Sequence, residues 1–171
     1  MALPTALEIV AAAKGPKKYW LMKSEPDVFS LDQLKKDGST PWEGVRNYQA
    51  RNFMMNEMKI GDDVLFYHSS AKPPFETGIV GLAEVSELAA PDKLQFDKKS
   101  EYFEAKATKE KPMWFCVRIK FKDSFKKTFT LADLKNSKDL AEMLVIRQGQ
   151  RLSIQPVAEK DFQFIVKKCT T

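Results

Sequence analysis

Two hydrophobic rhythms share the chain. Residues 19–24, Tyr-Trp-Leu-Met-Lys-Ser, alternate with period two, which predicts a strand with Trp20, Met22 and Ser24 on one face and Tyr19, Leu21 and Lys23 on the other. Glu25-Pro26 ends it, because proline has no N–H to give to a sheet. Asp63 to Ser69 predicts a second strand, with Val64, Phe66 and His68 facing one way and Leu65 and Tyr67 the other. Thr77 to Val85 is almost wholly apolar and predicts a strand buried on both faces. Met113 to Phe121 and Arg151 to Gln155 read as further strands.

The other rhythm is helical. Ser30-Leu31-Asp32-Gln33 has capping-box spacing and opens a short helix that stops near Gly38. Asn47 caps a helix to about Met58, with Met54, Met55 and Met58 as its buried face and Gly61 beyond its end. Thr130-Leu131-Ala132-Asp133 repeats the capping spacing, and Ala158 to Lys168 predicts a last helix. Leu140 to Ile146 fits no single element. Residues 90–112 hold Pro91, Pro112 and many lysines and predict a long exposed excursion. At least five strands interspersed with short helices indicate an α+β domain, a curved sheet or small open β-barrel flanked by short helices.

Length adds that one domain suffices, since 171 residues can bury a core without staples. The domain is placed at 17–168, with 1–16 a flexible N-terminal extension and 169–171 a tail. Leu3 to Ala13 is apolar but contains Glu8 and lacks a basic flank, a poor signal peptide. No apolar run reaches the roughly 18 residues of a membrane span, so no membrane partner is expected. Cys116 lies in an apolar run and reads as a buried small hydrophobe; Cys169 reads as free and loosely ordered. No disulfide framework is expected, which points to a reducing, intracellular setting, nuclear or cytoplasmic. The net charge of +5 fits a polyanionic partner and equally a lysine-rich solubilising surface.

Candidate catalytic sets are sparse. His68 is the single histidine, and a lone strand histidine is more often a hydrogen-bonded structural residue. There is no nucleophile elbow, no phosphate loop and no zinc spacing. Gly78-Ile79-Val80-Gly81 sits inside an apolar strand, where glycine allows close backbone approach. No metal and no cofactor are expected. The distinctive material is a set of amphipathic rings, Trp20, Trp42, Tyr48, Tyr67 and His68, with Ser24, Asn47, Gln49, Arg51 and Asn52 among them. Rings can stack on a planar base, each for roughly 1–3 kcal/mol, while amides and hydroxyls read its edge. Each ring taken singly fits ordinary core packing as well. The helix start at Asn47 could hold a phosphate, with Arg46 or Arg51 beside it.

Several segments resemble the EVE domain family. Tyr19 to Pro26 is similar to its opening motif, Trp42 to Asn52 to its second, and Gly61-Asp62 with Val64 to Ser69 to its third. Gly78 to Val85 resembles its central strand, and Arg147-Gln148, Arg151-Leu152-Ser153 and Pro156-Val157 resemble its closing motif. The resemblance implies a PUA-like fold and a non-catalytic reader of a modified base, modified cytosine foremost, in DNA or alternatively RNA. It implies a pocket of Trp20, Ser24, Asn47, Tyr48, Tyr67 and His68, with Trp42 lining it or bracing the loop. Arg46, Arg51, Arg147 and Arg151 would steady the phosphates. The protein would act as a monomer. Two alternatives stand beside this reading. One is a hydrolase acting on a nucleotide or amide through His68 with Lys23 and Glu25 or Glu43. The other is an aromatic cage for a methylated lysine.

Overall fold

The computed structural model describes residues 15–170, so the extension read at 1–16 lies outside the described residues apart from its last two positions. Six strands and four helices follow one another in the order β1 (Tyr19–Ser24), α1 (Leu31–Asp37), β2 (Ser39–Pro41), α2 (Tyr48–Asn56), β3 (Asp63–His68), β4 (Gly78–Pro91), β5 (Phe115–Thr130), α3 (Leu131–Asn136), β6 (Ile154–Val157) and α4 (Glu159–Thr170). Single 3-10 turns occupy Lys93–Phe96, Lys138–Leu140 and Leu144–Ile146. The strands form one mixed sheet, ordered β2-β5-β4-β3-β1-β6. Only β1 and β3 run parallel, in register from Tyr19 opposite Asp63 to Ser24 opposite His68. The remaining pairings are antiparallel. This is an open α+β sheet flanked by helices.

The alternation read from β1 and β3 separates two cores, one on each face of the sheet. Trp20, Met22, Val64 and Phe66 point into one, beneath Leu31 and Leu34 of α1 and Ala50 and Met54 of α2. Leu21, Leu65 and Tyr67 point into the other, covered by Leu134 of α3 and Phe162 and Ile165 of α4. Burial on both faces makes β3 buried at all six positions. A one-residue slip would exchange the two sets of side chains, so both cores fix the register. At Gly81 a Cβ would collide with the Asp123 carbonyl and with Leu31, so glycine there serves backbone approach.

The long hairpin of β4 and β5 is more extensive than the sequence pattern predicts. β4 continues six residues past Val85 to Pro91, and β5 continues past Phe121 to Thr130. The added stretch of β5 is rich in lysine, with Phe125 and Phe129 packed against the second core. Four register shifts between the two strands bend the ribbon. The excursion at 90–112 is corrected in part: it leaves the sheet, but Asp92 and Gln95 within it are fully buried. The last strand begins at Ile154 rather than Arg151. The tail is corrected too. Cys169 and Thr170 belong to α4, and Cys169 packs against the second core. Both cysteines are free; burial pushes the Cys116 thiol up to about 12, so it behaves as a small hydrophobe. No helix among the described residues is long and apolar enough to cross a membrane.

One buried carboxylate ties the start of β1 to the turn before β3. Asp62, 1% exposed, accepts the Trp20 indole N–H at 3.0 Å, the Lys59 backbone N–H at 2.9 Å and the Lys18 N–H at 3.0 Å. The Lys59 ammonium lies 3.2 Å from it as an ion pair whose geometry falls short of a hydrogen bond. Removing one partner of such a pair leaves the other charge buried alone, which costs about 3–5 kcal/mol. Asp62→Ala is therefore expected to lower unfolding stability by about 3 kcal/mol or more in denaturant titration. A loss under about 1 kcal/mol would show the carboxylate to be dispensable.

Candidate functional site

A cavity of about 800 Å3 opens where β1 ends. That size suits a small planar ligand. Its walls come from segments far apart in sequence: Lys23, Ser24 and Glu25 at the end of β1, Val28 and Phe29 in the following turn, and Thr40 to Arg46 after α1. Ser69, Glu101 and Tyr102, and Gln150, Arg151 and Ser153 complete them. The ionisable lining is balanced between Lys23, Arg46 and Arg151 and Glu25, Glu43 and Glu101.

Several interactions hold this wall. Ser24 Oγ donates to the Phe29 carbonyl at 2.6 Å and closes the turn after Pro26. Trp42, 8% exposed, is wedged edge-on against Phe29 and Phe66, which leaves a sliver of the indole at the cavity. Gly44 adopts φ +86°, a left-handed conformation, and a Cβ there would press on the Tyr102 ring at 3.1 Å. Its N–H donates to Asp92 Oδ2 at 2.8 Å, and Arg46 Nη1 donates to the same oxygen at 3.0 Å. Asp92 Oδ1 takes the Leu94 N–H. Arg46 also donates twice to the Tyr102 carbonyl, through Nε at 3.2 Å and Nη2 at 2.8 Å. Gln95 uses its whole amide: Oε1 accepts the Met113 and Trp114 N–H groups, and Nε2 donates to the Asp92 and Trp114 carbonyls. The lysine-rich excursion is thus a stitched wall of the cavity. Desolvation, helped by the Asp92 charge, raises the Glu43 carboxyl above its ordinary value. Desolvation lowers Lys23.

Of the expected pocket residues, Ser24 and Trp42 line the cavity, as do Arg46 and Arg151. The others stand elsewhere. Trp20 is 1% exposed, bound to Asp62 and tilted against Phe53. Asn47 caps α2, its Oδ1 accepting the Ala50 N–H at 2.9 Å. Tyr48 is 56% exposed and stacks on Trp114 instead. Tyr67 faces the second core because it is the odd member of an alternating strand. His68 is buried between Phe66 and Phe75, and its Nε2 accepts the Leu31 N–H at 3.1 Å. With Ser30 taking the Gln33 N–H, His68 satisfies an otherwise orphan donor at the start of α1. Arg51 is only 9% exposed, donating to the Met113 carbonyl and to Asn52 Oδ1, so it is bound within the fold and not presented to a phosphate. Arg147 is exposed beside Glu142 at 3.8 Å and is not part of the cavity wall.

Glu101, Tyr102 and Gln150 are lining residues that the sequence does not single out, and Ser153 stands out there only as part of the closing motif. The aromatic pair Tyr102-Phe103 amid lysines was the available signal, since aromatics seldom sit in a purely solvated loop. Among the described residues no cluster of histidine, cysteine and carboxylate could hold a metal ion.

Comparison with known proteins decides the family. The profile of the EVE domain matches residues 18–168. The chain belongs to the EVE domain family. It is 36% identical to human thymocyte nuclear protein 1 over 171 residues, 90% of this chain and 74% of that protein. A solved structure of a hypothetical protein from Leishmania major superimposes with a TM-score of 0.84 at 46% identity, covering 91% of this chain and 96% of that one. Human THYN1 protein in complex with 5-methylcytosine-containing DNA superimposes with a TM-score of 0.81 at 37% identity, covering 91% and 99%. In this EVE domain the opening, second, third and closing motifs each supply lining residues, whereas the central strand from Gly78 to Val85 supplies none.

The role of His68 has a pH signature. Burial lowers the imidazole below its ordinary value, with Asp32 opposing weakly, because only the neutral ring can accept the Leu31 N–H. The unfolded chain therefore takes up the proton first, and stability falls as pH drops below about 6.5, the ordinary histidine value. Because the chain has one histidine, the slope can be assigned. The wild type should lose stability between roughly pH 7 and 5 in urea titrations, and His68→Gln should stay level over that range. Parallel curves for the two proteins would overturn the assignment.

Proposed function

We propose that this EVE domain is a non-catalytic reader of a modified base in nucleic acid, with modified cytosine in DNA as the preferred ligand. The observation that carries the reading is the cavity of about 800 Å3 beside the end of β1, large enough for a base and lined by a ring edge, hydroxyls and charges of both signs. The human relative in complex with 5-methylcytosine-containing DNA shares this fold at 37% identity and supports the choice of ligand.

The base leaves its stack and enters the cavity, where the exposed edge of Trp42 and the Val28-Phe29 turn packed against it form one wall. Extrusion costs a few kcal/mol, which contacts inside the cavity must exceed. Glu43 suits the edge of cytosine, since a carboxylate accepts from its exocyclic amine. The hydroxyls of Ser69 and Ser153 offer further donors and acceptors. Arg151, exposed at the rim, steadies an adjacent phosphate, a contact that positions without reading sequence. No step in this scheme calls for a metal or cofactor. A hydrolase built on His68 has less support, because the lone pair of Nε2 is already engaged by Leu31 inside the core.

The test uses oligonucleotides identical except for one modified cytosine. The intact protein should bind the modified form more tightly. Ser153→Trp, which fills the cavity from its wall, should abolish that preference while thermal unfolding stays cooperative. Lys160→Ala, on α4 against the other face of the sheet, should leave the preference intact and at most weaken binding of both forms in a salt-dependent manner. Equal binding of the two oligonucleotides by the intact protein would refute the reading.

A further inference from the structure

A row of rings and guanidinium groups leads out of the cavity to an exposed aromatic face. Tyr102 lines the cavity. The Arg46 guanidinium lies 5.4 Å from the Tyr102 ring and 5.1 Å from the Trp114 ring. Trp114, 5% exposed, stacks on Tyr48 with centroids 5.0 Å apart and planes at 17°. Tyr48 ends the row at 56% exposure, one of the few large apolar side chains that are exposed. Arg51 sits 4.8 Å from the Tyr48 ring and 5.6 Å from the Trp114 ring. Those distances put Arg51 on the Trp114 side of the tyrosine, because a guanidinium on the far side would stand much further from Trp114. The outer face of Tyr48 is therefore uncovered among the described residues, while its inner face is held flat.

We propose that this outer face is a second nucleobase-stacking subsite, which takes the base next to the one in the cavity. The inference rests on the nucleic-acid reading above and adds a subsite outside the cavity. A ring fixed by stacking on Trp114 and by the Arg51 guanidinium costs little further entropy when a base lands on it. Stacking on such a ring tolerates any base, because every base has a π face. The two guanidinium groups decide the class of occupant. Their donors are engaged within the fold, so neither grips a phosphate, but their positive charge beside the platform disfavours a methylated lysine, the usual guest of an aromatic cage, and admits a neutral base. Arg46 spans both subsites, touching Tyr102 at the cavity and Trp114 under the platform.

The experiment measures affinity for a single-stranded oligonucleotide with one central 5-methylcytosine, and for versions with an abasic site on its 5′ or 3′ side. Tyr48→Ala should bind the full oligonucleotide roughly 5- to 150-fold more weakly, the range for loss of one base–ring stack, and Tyr48→Phe should bind like wild type. One abasic site should weaken the wild type by a similar factor and leave Tyr48→Ala unchanged, so that the two losses do not add. The ratio of methylated to unmethylated binding should be the same in Tyr48→Ala as in wild type. Undiminished binding by Tyr48→Ala, or an abasic penalty of equal size in both proteins, overturns the subsite. So does saturable binding of a trimethyl-lysine peptide that Tyr48→Ala loses. A wild type that ignores methylation yet shows the non-additive Tyr48 loss would refute the modified-base reading and leave the platform standing.

Discussion

The Asp92 carboxylate holds the site together. It lies 1% exposed, where an isolated negative charge would be prohibitively costly, and three donors make its burial tolerable. Two of those donors, the Gly44 N–H and the Arg46 guanidinium, belong to the loop that forms one wall of the cavity. The third, the Leu94 N–H, and the Gln95 amide anchor the excursion between β4 and β5 that forms the opposite part. One buried ion thereby fixes two walls with respect to each other. Arg46 is preorganised by the same contact and by the Tyr102 carbonyl, so its guanidinium is a fixed wall element that does not have to be ordered by a ligand.

The sheet supplies the other half of the construction. Parallel pairing of β1 with β3 brings Ser24 opposite His68, so the end of β1 and the chain leaving β3 reach the same rim. His68 then faces inward to support the first turn of α1, while Ser69, one residue on, reaches the cavity. His68, the last residue of β3, is thus structural, and Ser69, the first residue beyond the strand, lines the cavity.

Regular elements were legible in the sequence wherever a periodic pattern coincided with a cap. β1, β3, α1 and α2 begin where alternation or the Ser30 and Asn47 caps place them. What escaped was of two kinds. The added stretch of β5 is lysine-rich with only Phe125 and Phe129 packed against the second core, and that of β4 ends in small residues, so neither carries a hydrophobic rhythm to read. The pocket membership of rings was also illegible. Trp20, Tyr67 and His68 are amphipathic rings whose polar atom or face found a partner inside the fold, Asp62, Lys23 and Leu31 respectively. Nothing in their spacing separates that outcome from a ligand pocket. Asp92 and Gln95 were hidden for the converse reason: polar residues in a charged stretch look solvated until their long-range partners are known.

The wall of the cavity draws on residues from Lys23 to Ser153, and β6, which follows Ser153, is hydrogen-bonded only at the sheet edge beside β1. A partly opened molecule that sheds this edge strand would have no complete cavity. Occupancy is therefore linked to the integrity of the whole sheet: a ligand held there selects the fully closed ensemble and suppresses fraying at an edge it barely touches. Seen this way, the bound base acts as a keystone that couples the edge strand β6 to the rest of the sheet.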